Sequence, residues 1–290
     1  MKKIVKLTDG SELETGLTGE PGNKVVMLPI AKKNVVGQEA EQLQWWGVDP
    51  ELGSKFVEGL SDRYQALHFD YEGHLFAHPR PELLTPEAIA MDFLRIADEW
   101  EIGTFSYYGY SWLALAGLQL AIRTNRLESL IMGGFPPYGG PYPEMLTVTA
   151  KTYEQALRRP NPTDRSSFHG KTDPGEFDWE QAEVGMDPNQ TKQFFTLYRS
   201  LTDFDDTTVH DGLRFPKLTF AGEKDTIVYG PNFGNVTVDI AGSLKKNEEA
   251  LRRLGWDVRI LYGDDMDHTK AMQPAAALPL IKLWLMDHLG

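Results

Sequence analysis

The chain has 290 residues, of which 41% are apolar and 24% are charged, and it contains no cysteine. Disulfides, thiolate catalysis and cysteine-ligated metal centres are therefore excluded. Acidic residues outnumber basic ones by 42 to 29, for a formal net charge of −13. Such a surface repels phosphate backbones and anionic lipid, so we expect neither a nucleic-acid nor a membrane partner. Without a secretion signal or a long apolar run, we predict a cytoplasmic protein.

Along the chain, predicted strands alternate with predicted helices. Asp9-Gly10 separates two short extended runs and predicts an opening β-hairpin. Thr85-Pro86 begins a helix, because a hydroxyl cap followed by proline is typical of helix starts. The further predicted strands are 24–29, 64–70, 104–108, 127–132, 217–221 and 258–262, and the further predicted helices are 50–62, 113–123, 244–254 and 275–289. This alternation predicts a mainly parallel sheet covered by helices on both faces.

The segment 135–215 interrupts this alternation. It contains two clusters rich in proline and glycine and two helix-like stretches, 149–157 and 190–201, but no convincing strand. About 80 residues without sheet character are too many for a plain loop. We therefore expect a largely helical cap inserted into a core of residues 1–134 and 216–290. Its aromatic residues are expected to form a small core of the cap and in part to line a pocket; they are Tyr153, Phe177, Trp179, Phe194, Phe195 and Tyr198.

Ser111 lies where a predicted strand passes directly into a predicted helix, in the run Gly109-Tyr110-Ser111-Trp112-Leu113. Such a junction pushes the serine hydroxyl out of the sheet and next to the first N–H groups of the helix. Those N–H groups and the helix dipole can stabilise an oxyanion. The junction therefore predicts a nucleophilic serine, and a serine that merely caps the helix is the alternative.

The order of these elements resembles that of the α/β-hydrolase superfamily over nearly the whole length of the chain. The opening hairpin, the elbow at Ser111, a cap after the next strand, and then an acid and a histidine follow that family's plan. Asp225 comes directly after the 217–221 strand, and His268 lies after the last strand. The resemblance implies a catalytic triad in which Ser111 is the nucleophile, His268 the base and Asp225 the residue that orients the base.

The same resemblance implies an oxyanion hole made of the backbone N–H groups of Trp112 and Ala31, with no cofactor and no metal. Serine at the nucleophile position, in place of aspartate, implies acyl transfer through an acyl-enzyme. We therefore predict a carboxylesterase-like serine hydrolase that acts on an ester or related acyl bond of a small to medium, largely apolar small-molecule substrate. Cleavage of lactones, amides or carbon–carbon bonds uses the same residues and stays open.

Two positions depart from the family's pattern. Leu113 stands where a small residue, often glycine, is usual. Pro29-Ile30 replaces the usual His-Gly pair before the oxyanion loop. Both departures favour the alternative function, a non-catalytic or weakly catalytic ligand-binding protein on the same fold.

The charged candidates have simpler alternatives. Asp225 is also explained as a surface turn residue, because aspartate is common in turns. His268 is also explained as part of a solvated acidic loop. His74 and His78 have the spacing of two metal ligands on a helix, but the neighbouring glycine and proline favour a solvated loop.

Overall fold

The computed structural model describes residues 1–158 and 187–289. Within these residues the strands are β1 (Lys2–Lys6), β2 (Glu12–Thr18), β3 (Val25–Leu28), β4 (Gln65–Phe69), β5 (Phe105–Tyr110), β6 (Leu127–Gly133), β7 (Lys217–Gly222), β8 (Thr226–Val228), β9 (Thr237–Asp239) and β10 (Trp256–Leu261). Eight of them form one sheet in the order β1-β2-β4-β3-β5-β6-β7-β10, and β8 and β9 form a separate antiparallel pair. In the large sheet β2 runs antiparallel to β1 and β4, and all other neighbours are parallel.

Helices cover both faces of this sheet. They are α1 (Gln38–Trp45), α2 (Leu52–Ser61), α3 (Tyr71–Ala77), α4 (Pro86–Glu99), α5 (Trp112–Ala121), α6 (Tyr142–Arg158), α7 (Pro188–Ser200), α8 (Ile240–Arg253), α9 (His268–Met272) and α10 (Pro274–Leu289). Side chains alternate between faces along a strand, so Tyr107 and Tyr108 of β5 enter different apolar clusters. The Tyr107 cluster includes α4, α5 and α8, and the Tyr108 cluster includes α2 and α10. The predicted hairpin, parallel sheet and two-sided cover are confirmed.

The segment between β6 and β7 is helical where the structure describes it. The two predicted helices are present as α6 and α7, and short 3₁₀ turns at Asp206–Thr208 and His210–Gly212 follow them. The stacked rings of Tyr153 and Phe195 join α6 to α7, with their centroids 6.2 Å apart. Phe177 and Trp179 lie in 159–186, outside the described residues. Across the described ranges, no helix is both long enough and apolar enough to cross a bilayer.

Several elements differ from the prediction, among them α1, the β8–β9 pair and the helix after β4. Helix α1 lacks the apolar periodicity by which helices are recognised in a sequence, and none of its residues is buried. The small β8–β9 sheet consists of strands of three residues, which are too short for a periodic pattern. The stretch after β4, where a solvated loop is predicted around His74, is the start of α3, because the Asp70 carboxylate accepts the Gly73 N–H at 3.0 Å and caps that helix.

This correction also changes the account of the two histidines. His74 lies within α3 and is buried, so the prediction of a solvated loop is wrong for it. His78 follows the helix and is exposed. Their rings lie 4.9 Å apart. Within 1–158 and 187–289, no group of three or more histidine and acidic side chains is arranged to hold a metal ion.

Candidate active site

Ser111 occupies the sharp turn between β5 and α5. Its backbone has φ 56° and ψ −130°, in the left-handed half of the map that residues other than glycine seldom adopt. Its N–H donates to the Gly133 carbonyl at 2.8 Å, and its own carbonyl accepts the Ala114 N–H at 2.9 Å as the helix begins. The Ser111 side chain makes no capping hydrogen bond. A strained serine whose hydroxyl is not used as a cap is typical of a functional position.

Gly109 allows β5 and α5 to meet so closely. A Cβ at this position would overlap the carbonyl of Leu113, so only glycine fits. Leu113 does not distort the turn, because it has no positive φ and its side chain, 9% exposed, packs into the core. Its carbonyl accepts the Tyr107 hydroxyl at 2.8 Å. The close approach at the elbow therefore depends on Gly109, and the departure at position 113 is accommodated.

Asp225 and His268 form a pair at the carboxyl end of the sheet. Asp225 follows β7 and is fully buried, with 0% of its surface exposed, so it is not a surface turn residue. His268 Nδ1 lies 2.9 Å from Asp225 Oδ1 and 3.1 Å from Oδ2. With Nδ1 protonated, the ring donates to the carboxylate and leaves Nε2 as the free nitrogen. This is the arrangement that orients a histidine base.

The chain around His268 is held against the turn that carries Asp225. A Cβ on Gly222 would overlap the Met266 carbonyl, and the Lys224 N–H donates to that carbonyl at 3.0 Å. His268 itself is the first residue of α9 and not a loop residue, since Asp267 caps this helix by accepting the Lys270 N–H at 2.8 Å. The two loops are thus locked together by backbone contacts.

Two further residues position the imidazole. The Tyr110 hydroxyl donates to the His268 carbonyl at 2.8 Å, and the two rings lie 5.0 Å apart. Gly134, at φ +63°, leaves the space that the imidazole occupies, because a Cβ there would lie 2.8 Å from His268 Cε1. Neither role is predicted from the sequence. Their only sequence signals are that Tyr110 precedes the serine and that Gly134 directly follows a strand.

Ser111 and His268 open into one cavity of about 500 Å³. Much of its wall is formed by the chain from the end of β3 to the start of α2, with Ile30, Ala31, Val35, Leu43, Val48 and Leu52. Glu72 and Phe76 of α3, together with Trp112 and Met272, also line it. None of the described residues of 135–215 lines this cavity. Among the predicted cap aromatics, Phe194 packs behind the wall, with its ring centroid 5.3 Å from that of Trp112.

Two backbone N–H groups at the cavity are free to receive an oxyanion. Trp112 begins α5, and its N–H finds no acceptor in the described ranges. Ala31 lines the same cavity, and its N–H likewise has no acceptor among the residues described. Close packing of the Ala31 carbonyl on Gly53 holds this loop in place. The predicted pair of donors therefore lies at one cavity, although Pro29-Ile30 replaces the usual dipeptide.

Within the described residues, one hydrogen bond of a working catalytic triad is not formed. No hydrogen bond joins Ser111 Oγ to His268 Nε2. The two side chains nevertheless line the same cavity. Hydrogen bonds of this kind are often long or poorly aligned without substrate and shorten when substrate binds.

No family model matches the chain, and no curated protein matches it in sequence. Solved structures match it over nearly its full length. A thermophilic esterase from Thermogutta terrifontis is 19% identical, with a TM-score of 0.60 and 99% of each chain covered. The enol-lactonase from Burkholderia xenovorans LB400 is 17% identical, with a TM-score of 0.59, covering 98% of this chain and 100% of that one. A hydrolase from Pseudomonas aeruginosa PA01 is 16% identical, with a TM-score of 0.58, covering 100% and 98%. The chain has the α/β-hydrolase fold.

On this α/β-hydrolase fold, Glu72 contributes a carboxylate beside the elbow. The Trp112 indole donates from Nε1 to Glu72 Oε1 at 2.6 Å. Glu72 keeps an exposed side, but the protein around its carboxylate reduces hydration there and raises the pKa of Glu72 above its usual value. The indole hydrogen bond lowers this pKa, and the nearby Asp70 charge raises it further. No local sequence signal predicts this role for Glu72, because its partner Trp112 lies 40 residues further along the chain.

Proposed function

We propose that the protein is a serine hydrolase that cleaves an ester or related acyl bond through an acyl-enzyme on Ser111. One observation carries the proposal: three features of the site open into the same cavity. These are the strained Ser111, the free side of an imidazole paired with the buried Asp225, and the unpaired Trp112 N–H. Nucleophile, oriented base and oxyanion donor are the parts that acyl transfer requires.

In the proposed reaction, Ser111 Oγ attacks the substrate carbonyl and its proton passes to His268 Nε2. The carbonyl oxygen becomes an oxyanion that accepts hydrogen bonds from the N–H groups of Trp112 and Ala31. Collapse of this intermediate breaks the ester bond, and the leaving alcohol takes the proton from His268. Water then attacks the acyl-enzyme with His268 again as base, releasing the acid and restoring Ser111. Throughout, Asp225 stabilises the imidazolium.

The cavity supports a substrate of small to medium size. Its volume of about 500 Å³ and its many apolar lining residues suit a largely apolar acyl compound. Two of the similar structures are named as an esterase and an enol-lactonase, which supports ester-type bonds as the first substrates to test. We also propose that 135–215 acts as the cap of this core, because its described part is helical and Phe194 packs on Trp112.

The test is hydrolysis of 4-nitrophenyl esters of increasing acyl length by the full chain and by Ser111→Ala and His268→Ala. Loss of at least about 10³-fold in kcat/KM is expected for each variant. Ser243→Ala is the matched control, since its hydroxyl bonds the Gly139 carbonyl and does not line the cavity. Near-normal turnover by Ser111→Ala would overturn the proposal.

A second candidate is a ligand-binding protein with little or no turnover. The missing hydrogen bond between Ser111 and His268 favours it. Ligand-induced thermal stabilisation without product formation would support this function. Burst release of 4-nitrophenol followed by steady turnover would refute it.

A further inference from the structure

The charged side chains of the cavity are not balanced. Lys33, Glu39, Asp49, Asp70 and Glu72 line it in the described ranges. Lys33 pairs with Asp70 at 3.5 Å, and Asp49 pairs at 2.6 Å with a lysine of α2. Glu39 and Glu72 make no ion pair within the described residues. The cavity therefore presents unneutralised negative charge and no unpaired cation from its own described lining.

Glu72 lies beside the elbow, because its hydrogen-bond partner is Trp112, the residue after Ser111. Its Oε1 accepts the Trp112 indole N–H at 2.6 Å, and its Oε2 has no partner in the part of the chain that is described. The indole N–H is a neutral donor, so it does not cancel the negative charge of the ionised carboxylate. That charge is available to a group that enters the cavity.

The backbone beneath Glu72 is rigid. The adjacent Tyr71 is fully buried, donating to Asp92 Oδ2 at 2.8 Å and accepting from Arg80 Nη2 at 2.6 Å. On the other side, Asp70 caps α3. The Trp112 ring contacts the rings of Tyr71 and Phe194, at centroid distances of 6.3 and 5.3 Å, and it also lines the cavity. The carboxylate and the indole are thus presented together at fixed positions.

A carboxylate beside an indole is the chemistry that binds an ammonium group. The carboxylate supplies charge attraction, and the face of tryptophan is the best aromatic surface for a cation. A substrate carboxylate would meet repulsion at the same place.

We infer that Glu72 and Trp112 select esters that are apolar except for one cationic group. This group is an amine or a quaternary ammonium. This inference rests on the proposed function and specifies the substrate of the same site. The acyl bond is cleaved at Ser111, and the cation lies against the Glu72 carboxylate and the indole. Neutral esters of the same shape are poorer substrates, and carboxylate-bearing esters are the poorest.

The test uses pairs of esters that have the same shape and differ only in charge. Acetylcholine and 3,3-dimethylbutyl acetate place the difference in the alcohol. The 4-nitrophenyl esters of 4-(trimethylammonio)butanoic acid and of 5,5-dimethylhexanoic acid place it in the acyl group. In at least one pair, the native chain is expected to show a kcat/KM ratio of about tenfold or more in favour of the cation.

Glu72→Gln is the diagnostic variant, since the amide oxygen can still accept the indole N–H while the charge is gone. The cation preference should fall to near unity in this variant. Glu99→Gln is the matched control: it removes the same charge from an exposed position of α4 that does not line the cavity, and it should keep the native ratio. A native ratio near unity in both pairs, or an unchanged ratio in Glu72→Gln, would overturn the inference and leave the hydrolase proposal standing.

If no ester is hydrolysed in a Ser111-dependent way, the proposed function fails, and binding decides the inference separately. Benzyltrimethylammonium should then raise the Tm of the native chain and of Glu99→Gln but not that of Glu72→Gln. Equal shifts in all three proteins, or no shift in any, would overturn the charge selection.

Discussion

Replacing Gly134 with alanine tests whether His268 acts from the position in which the structure holds it. The new Cβ would lie 2.8 Å from His268 Cε1 and 2.6 Å from the Tyr110 ring, whereas ordinary contact begins at 3.4 Å. The imidazole must therefore retreat by roughly 0.6 Å. A misplacement of about 1 Å at a reacting group costs about 10²-fold in rate, so we expect a loss of roughly tenfold or more in kcat.

The control for this prediction is Gly139→Ala, because the two glycines have nearly the same backbone. Gly134 has φ +63° and Gly139 has φ +65°, but a Cβ on Gly139 meets only Asn247 Nδ2, at 3.4 Å. Each substitution costs about 1 kcal/mol from the left-handed backbone. Gly134→Ala adds about 1–3 kcal/mol of overpacking.

The assay combines urea unfolding with ester hydrolysis by both variants. Gly139→Ala should lose a little stability and keep native kcat, while Gly134→Ala should lose more stability and most of its turnover. Native kcat in a folded Gly134→Ala protein would refute the reasoning, because the histidine would then work without the space that Gly134 leaves for it.

Two other predictions concern Asp225 and Glu72. Asp225→Asn keeps the shape of the His268 contact but removes its charge, and we expect kcat to fall by about 10⁴-fold with the fold intact by circular dichroism; a loss of less than tenfold would show that this pair is structural. Glu72 has a pKa above its usual value in the folded chain. Between the unfolded and the folded pKa of this carboxyl, the folded chain therefore binds more protons than the unfolded chain. As pH rises through that window, Glu72 lowers the free energy of unfolding. The Tm of Glu72→Gln minus that of the native chain should therefore be larger at pH 7 than at pH 4, and a difference that is constant or larger at pH 4 would contradict the account.

The architecture could be predicted from the sequence because its main elements carry strong local patterns. β5 and α5 are apolar and meet at Ser111 without an intervening loop, and Thr85 caps α4 through a recognisable motif, accepting the Ala88 N–H at 3.2 Å. Helix α1 could not be predicted, since none of its residues is buried and its sequence carries no apolar stripe. The strands and helices that build the core were therefore found, while an element that lines the cavity was missed.

The candidate site could be predicted only as far as chain order allows. Asp225 and His268 follow their strands in the expected sequence, and the structure brings them within hydrogen-bond distance. The contact between Trp112 and Glu72 joins residues 40 positions apart and leaves no trace in either local sequence. The space beside Gly134 is likewise a property of packing, because the imidazole that fills it comes from α9.

The most direct measurement of the central claim is labelling by a fluorophosphonate probe, with the modified peptide located by mass spectrometry. The account predicts rapid labelling of the native chain at Ser111 alone, because an activated serine reacts with this phosphorus centre as it would with an acyl group. Ser111→Ala and His268→Ala should not be labelled, and Ser243→Ala should react as the native chain does. A folded native chain that stays unlabelled, or that is labelled at another residue, would contradict the assignment of Ser111 as the nucleophile.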